Sequence, residues 1–198
     1  MIKAVIFDFG RVISAQKPPS LFRRYERELG LEPDTINRLM FDRRAWQNAL
    51  LGRLTEAQYR EAVGPDLGLT GQSELDAFRR RYRRDEAINT AVVNLIRRLH
   101  GRLKTAVLSN APRGLEEWLK EWKIRELFDV VFCSGDEGLA KPDPAAFERV
   151  LARLEVAPEE AVFIDDTLEH VHTAQRLGMS GLLFTTAEAL AEQLAEIL

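Results

Sequence analysis

Short runs of β-branched and aliphatic residues recur at 2–8, 103–109, 129–134, 161–165 and 180–184. From the second run onward, each is followed by a stretch with helical periodicity: 113–122, 143–154, 167–177 and 186–197. Parallel strands can be joined only through a crossover long enough to carry a helix, so this alternation points to a parallel sheet of βα units. Gly178 stands where a helix stop belongs. Between the first and second runs lie residues with no convincing strand. Apolar residues there recur at three- and four-residue spacing (Leu21, Tyr25 and Leu29; Ile36, Leu39 and Met40; Tyr59, Ala62 and Val63; Leu75, Phe78 and Tyr82), punctuated by Gly30, Gly52, Gly64 and Gly68. A structureless loop of that length is improbable in a compact domain. The reading is an α/β fold: a Rossmann-like parallel sheet core over 1–14 and 90–198, with an α-helical cap inserted at 15–89.

Composition narrows the function classes. The chain has 198 residues, 45% apolar and 30% charged, and a net charge of −3. That balance argues against a dedicated nucleic-acid binder, and no apolar stretch approaches the ~20 residues of a membrane helix. The start, Met1-Ile2-Lys3 followed by a run containing Asp8, is too short for a secretory signal. A single cysteine, Cys133, excludes an internal disulfide framework and fits a reducing compartment. The expectation is a cytoplasmic globular protein that engages neither nucleic acid nor membrane, with oligomeric state open.

Polar residues cluster where the sheet would end. Asp8 closes the first apolar run, and Gly10 is expected to let the backbone turn sharply behind it. Ser109-Asn110 closes the second run, Asp165-Asp166 the fourth, and Lys141-Pro142-Asp143-Pro144 opens a helix. Singly these are cap, turn and surface residues. Together they gather outside the carboxyl ends of parallel strands, where open α/β sheets bind ligands.

In order and spacing, Asp8-Phe9-Gly10-Arg11-Val12, Leu108-Ser109-Asn110, the segment Gly138 to Pro144 and Val162-Phe163-Ile164-Asp165-Asp166 resemble the motifs of the haloacid dehalogenase-like hydrolases, most of which are magnesium-dependent phosphatases. The resemblance spans essentially the whole chain. It implies that Asp8 is the nucleophile and that Asp8, the Gly10 carbonyl and Asp166 hold Mg²⁺. It further implies that Lys141 and Asp165 serve catalysis, Asp165 by orienting its neighbours, while Ser109 and Asn110 bind the phosphoryl group of a small phosphorylated metabolite, possibly a sugar phosphate. Phosphatases of this family usually carry a second carboxylate two residues after the nucleophile, as general acid; here that residue is Gly10. The alternatives are a metal-independent 2-haloacid dehalogenase, which needs no such acid, and a weakly active or non-catalytic phospholigand-binding protein.

Other residues read more simply. Cys133 is expected in the core. His170 and His172, two apart on a helix, do not form a metal pair, and His170 lies nearer the strand ends. The run Arg79 to Arg84 reads as a solvated helix face among acids, with one arginine reaching an anionic substrate as the alternative. Trp46, Trp118 and Trp122 read as buried or singly exposed residues, with a subunit interface as the alternative.

Overall fold

The structure, a computed structural model, describes residues 1–41 and 44–198. Five strands, β1 (Ala4–Phe7), β2 (Lys104–Ser109), β3 (Val130–Cys133), β4 (Ala161–Asp165) and β5 (Ser180–Leu183), form one sheet in the order β3-β2-β1-β4-β5. Every pairing is parallel. The four expected helices are α7 (Leu115–Glu121), α9 (Pro144–Leu154), α10 (Leu168–Arg176) and α11 (Ala187–Ile197); α6 (Thr90–Leu99) returns the chain to β2. A short helix, α8 (Ser134–Glu137), follows β3.

The sheet is covered on both faces. In β1, Val5 and Phe7 join the layer with Val92, Ile96 and Leu190, while Ala4 and Ile6 join the layer with Phe147, Val150 and Phe163. That is period-two alternation with apolar residues on both sides, as buried parallel strands demand. Asp143 caps α9, its carboxylate accepting from the Ala145 amide at 3.0 Å.

Between β1 and α6 the expected helices form: α1 (Pro19–Leu29), α2 (Ile36–Phe41), α3 (Arg44–Leu50), α4 (Glu56–Val63) and α5 (Gln72–Arg84). They own a separate apolar cluster around Tyr25, Ile36, Tyr59, Leu67 and Leu75. Its two buried tyrosines are satisfied, Tyr25 Oη donating to Asp85 and Tyr59 Oη to the Met40 carbonyl, each at 2.7 Å. The two chain segments joining this insertion to the sheet run side by side. Ala15 N–H donates to Ala87 O at 2.7 Å and Asn89 N–H to Ile13 O at 2.8 Å. A second contact is at Gly52, with φ +67° and a Cβ that would fall 2.0 Å from the Gly135 carbonyl oxygen. Only glycine lets the insertion approach the sheet so closely there.

Cys133 is buried, as expected, and burial pushes its thiol up to about 12. Trp118 and Trp122 pack on Phe9, and Trp46 on Tyr59, so none of the three marks an interface by itself. Among the described residues, no helix is long and apolar enough to cross a membrane. The order of the sheet reverses between β1 and β4, which places the ligand crevice at their carboxyl ends.

Phe147 is fully buried and packs edge-on against Phe163 with centroids 5.0 Å apart. Phe147→Ala should lower the unfolding free energy by about 3–5 kcal/mol, read from urea denaturation at unchanged m-value. A loss below about 1 kcal/mol would contradict this packing.

Candidate active site

The parallel ladder extends one residue past β1: Asp8 N–H donates to the Ile164 carbonyl at 2.8 Å, fixing the backbone from which the carboxylate projects. The sharp turn expected at Gly10 is made one residue later. Gly10 has φ −67° and ψ 125°, values open to any residue, whereas Arg11 has φ 60°. A non-glycine residue in the left-handed region is uncommon. Arg11 is held there from both ends, its amide donating to Ser14 Oγ at 3.1 Å and its Nε lying 2.8 Å from Asp166 Oδ2.

Lys141 joins the strand ends. Its side chain is 1% exposed, and Nζ donates to Asp8 Oδ1 and to Asp165 Oδ2, both at 2.6 Å. Asn110 sets its position by copying backbone pairing: Oδ1 accepts from the Lys141 amide at 2.8 Å, and Nδ2 donates to the Lys141 carbonyl at 2.7 Å. The sequence offered Asn110 only as a phosphoryl-binding residue; this grip on Lys141 left no signal in the pattern.

Asp165 is fully engaged. Oδ1 accepts from the Thr167 amide at 2.8 Å, while Oδ2 faces Lys141 and, at 3.0 Å, His170 Nδ1. The proximity of His170 to the strand ends is thus realised as a contact with Asp165, and His172 is exposed.

Two carboxylates share one ammonium, and their surroundings separate them. Burial raises Asp8 to about 6; Lys141 opposes the rise and Asp165 adds to it. Burial also opposes ionisation of Asp165, but the bond from His170 and the charge of Lys141 outweigh it and hold the group at about 2. Lys141 is desolvated too, yet the two carboxylates keep it protonated, its affinity for the proton raised. Asp166 is raised by burial and by Asp165, with Arg11 pulling the other way.

Oxygens of Asp8, Asp165 and Asp166 lie within 4.8 Å of one another. These are the hard donors magnesium takes, so the residues present fit such an ion. Gly10, Ser109 and Asn110 share the wall of a cavity of about 610 Å³ that extends from the strand ends toward the helical insertion. The structure therefore joins Asp8, Lys141 and Asp165 by hydrogen bonds, sets Asp166 beside them, and puts Ser109 and Asn110 on the adjoining cavity wall.

A family model of haloacid dehalogenase-like hydrolases matches residues 2–178. The chain belongs to the haloacid dehalogenase-like hydrolases. It is 30% identical over 200 residues to the sesquiterpene phosphatase astK of Aspergillus oryzae, covering 98% of this chain and 96% of that protein. A family enzyme of Bacteroides thetaiotaomicron, crystallised with magnesium and inorganic phosphate, shares the fold at TM-score 0.74 and 21% identity, over 93% of this chain and 95% of that one. The L-2-haloacid dehalogenase of Xanthobacter autotrophicus superposes with TM-score 0.70 at 26% identity, over 99% of this chain and 83% of its own.

Removing one partner of a buried ion pair costs about 3–5 kcal/mol because the remaining charges stay buried. Lys141→Met in metal-free buffer should therefore lose about that much stability at pH 7. Without the ammonium, the folded carboxylates hold protons more tightly than the unfolded ones do. The deficit should then shrink as pH falls, since protonated carboxyls need no partner. Urea denaturation at pH 7 and pH 5 checks this; a deficit equal at both values would contradict it.

Proposed function

We propose that this hydrolase is a magnesium-dependent phosphatase acting on a small phosphorylated molecule through an aspartyl-phosphate at Asp8, with residues 15–89 forming a cap over the site. The observation that carries the reading is the buried Lys141 ammonium, 2.6 Å from both Asp8 and Asp165. It fixes one oxygen of Asp8 and supplies positive charge where two anions must meet. The name of the Aspergillus oryzae relative and the magnesium and phosphate in the Bacteroides thetaiotaomicron crystal support phosphate over halide.

In the first step the Asp8 carboxylate attacks phosphorus, the bond from phosphorus to the ester oxygen breaks, and the alcohol leaves with a proton drawn from solvent. In the second, water attacks the same phosphorus, releasing inorganic phosphate and restoring the carboxylate. The Ser109 hydroxyl and the Asn110 backbone N–H hold the transferring group in line. Asn110 also keeps Lys141 in register, and Asp165, braced by His170 and Thr167, holds the ammonium between the strands. When bound by Asp8, the Gly10 carbonyl and Asp166, magnesium supplies neutralising charge for the phosphate. Asp165 has both oxygens committed within the protein, which suits it to orientation rather than ligation.

Wild-type protein should release phosphate from p-nitrophenyl phosphate only with Mg²⁺, and Asp8→Asn should fall to background. Chloride release from 2-chloropropionate without metal, in the absence of phosphatase turnover, would overturn the reading in favour of dehalogenation.

Gly10 predicts a second behaviour. No carboxylate stands at that position to protonate the leaving oxygen, so rates should depend steeply on leaving-group acidity. A Cβ at Gly10 would meet only Asp8 Oδ2 within 4 Å, at 3.7 Å, an ordinary van der Waals contact. Gly10→Asp should accelerate hydrolysis of simple alkyl phosphates by about 10²-fold or more, the usual worth of a general acid, and flatten the dependence. Unchanged alkyl phosphate turnover with a wild-type fold would show that another group already supplies the proton.

A further inference from the structure

The cavity that begins at the strand ends is lined mostly by apolar side chains. One end is polar, with Gly10, Ser109 and Asn110; most of the remaining wall is apolar, including Phe9, Trp46, Tyr59, Phe78, Tyr82 and Trp118. Among the described residues, three of the four arginines on that wall, Arg79, Arg83 and Arg113, are hydrogen-bonded within the protein. Arg79 makes two bonds to Glu56 at 2.5 Å. Arg60 pairs with the same carboxylate at 3.0 Å and with Asp76 at 3.7 Å, but its buried Nε and Nη1 make no hydrogen bond. Arg83 bonds Glu121 at 3.1 Å while its guanidinium lies 5.0 Å from the Trp118 ring centroid. Arg113 donates to the carbonyls of Gly135 and Gly52. The Tyr59 hydroxyl is spent on the Met40 carbonyl. Beyond Arg60 and Glu117, a polyhydroxylated substrate would lose its water there and find few partners, at a cost for each unpaired group. An apolar one would gain by every methylene it buries. A volume of about 610 Å³ is that of a pocket for a molecule of considerable size.

We propose that the substrate is a phosphate ester of a long apolar alcohol or phenol, its phosphate at Asp8 and its hydrocarbon enclosed between the aromatic side chains of the insertion and those of the sheet domain. The proposal rests on the phosphatase reading of the same site and names the substrate class.

The test is a series of 4-alkylphenyl phosphates, from methyl to octyl, assayed with Mg²⁺ below their aggregation concentrations. Leaving-group acidity is nearly constant along such a series, so the chain's effect is separated from the missing acid. Burial of a methylene is worth up to about fourfold in affinity, so kcat/KM should rise about two- to fourfold per carbon until the cavity fills, chiefly through KM. Val63→Phe, which adds volume to the wall, should cut the octyl-to-methyl ratio at least about tenfold. Circular dichroism verifies its fold. Independently of turnover, 1-decanol should bind metal-free wild-type protein saturably and shift its tryptophan emission, since Trp46 and Trp118 line the cavity, and should bind Val63→Phe more weakly.

A flat or falling series, with methylphenyl phosphate still hydrolysed, would overturn the substrate class and leave the phosphatase reading standing. Failure to hydrolyse any member would overturn the phosphatase reading. The decanol titration would then decide the cavity's ligand: saturable binding weakened by Val63→Phe upholds an apolar occupant, and its absence refutes it.

Discussion

A single ammonium holds the ends of β1 and β4 together. Lys141 Nζ spans Asp8 and Asp165, which lie on either side of the point where strand order reverses. Burying a charge is costly unless it is paired and hydrogen-bonded. Here the compensation comes from several segments: Asn110 after β2 fixes the lysine backbone, His170 on α10 and the Thr167 amide brace Asp165, and Arg11 balances Asp166. A buried ion pair is weak evidence for stability when considered alone. Its position at the open end of the sheet suits the chemistry proposed for Asp8.

The surroundings are unequal for the two carboxylates. Asp165 is saturated with donors and held strongly ionised, whereas Asp8 keeps one oxygen on Lys141 and is raised by burial. One acid has both oxygens bound within the protein and the other has one oxygen on Lys141, beside the cavity-lining Gly10. The open space at Gly10 sits against the second oxygen of Asp8. The family's phosphatases generally place their acid in that position, so this chain combines two carboxylates bridged by Lys141 with open space at Gly10 and a largely apolar cavity.

Much of this was legible in the sequence because its causes are local. Strands buried on both faces read as continuous aliphatic runs, and their ends differ from the expected ones by a residue or two where pairing stops. Asp8, Ser109, Lys141 and Asp165 were legible because each sits at a strand end or a helix start. What stayed hidden depends on partners far apart in the chain. The left-handed turn lies at Arg11 rather than Gly10 because Ser14 and Asp166 hold it there, and nothing in Arg11 itself announces this. The arginine run reads as a solvated face, but Arg79, Arg81 and Arg83 close on Glu56, Glu28 and Glu121, acids from other helices. The aromatic cavity arises only when the insertion and the sheet meet, so helical periodicity recorded its residues as ordinary core.

The central claim is that Asp8 becomes phosphorylated. Wild-type protein turning over p-nitrophenyl phosphate with Mg²⁺ would be quenched in acid and reduced with borohydride, and the peptide containing position 8 read by mass spectrometry. An acyl phosphate there is reduced to the alcohol, so the account predicts homoserine in place of aspartate at position 8 and at no other carboxylate. Unmodified Asp8 recovered from enzyme in steady turnover, with phosphate release proceeding and Lys141 intact, would contradict it.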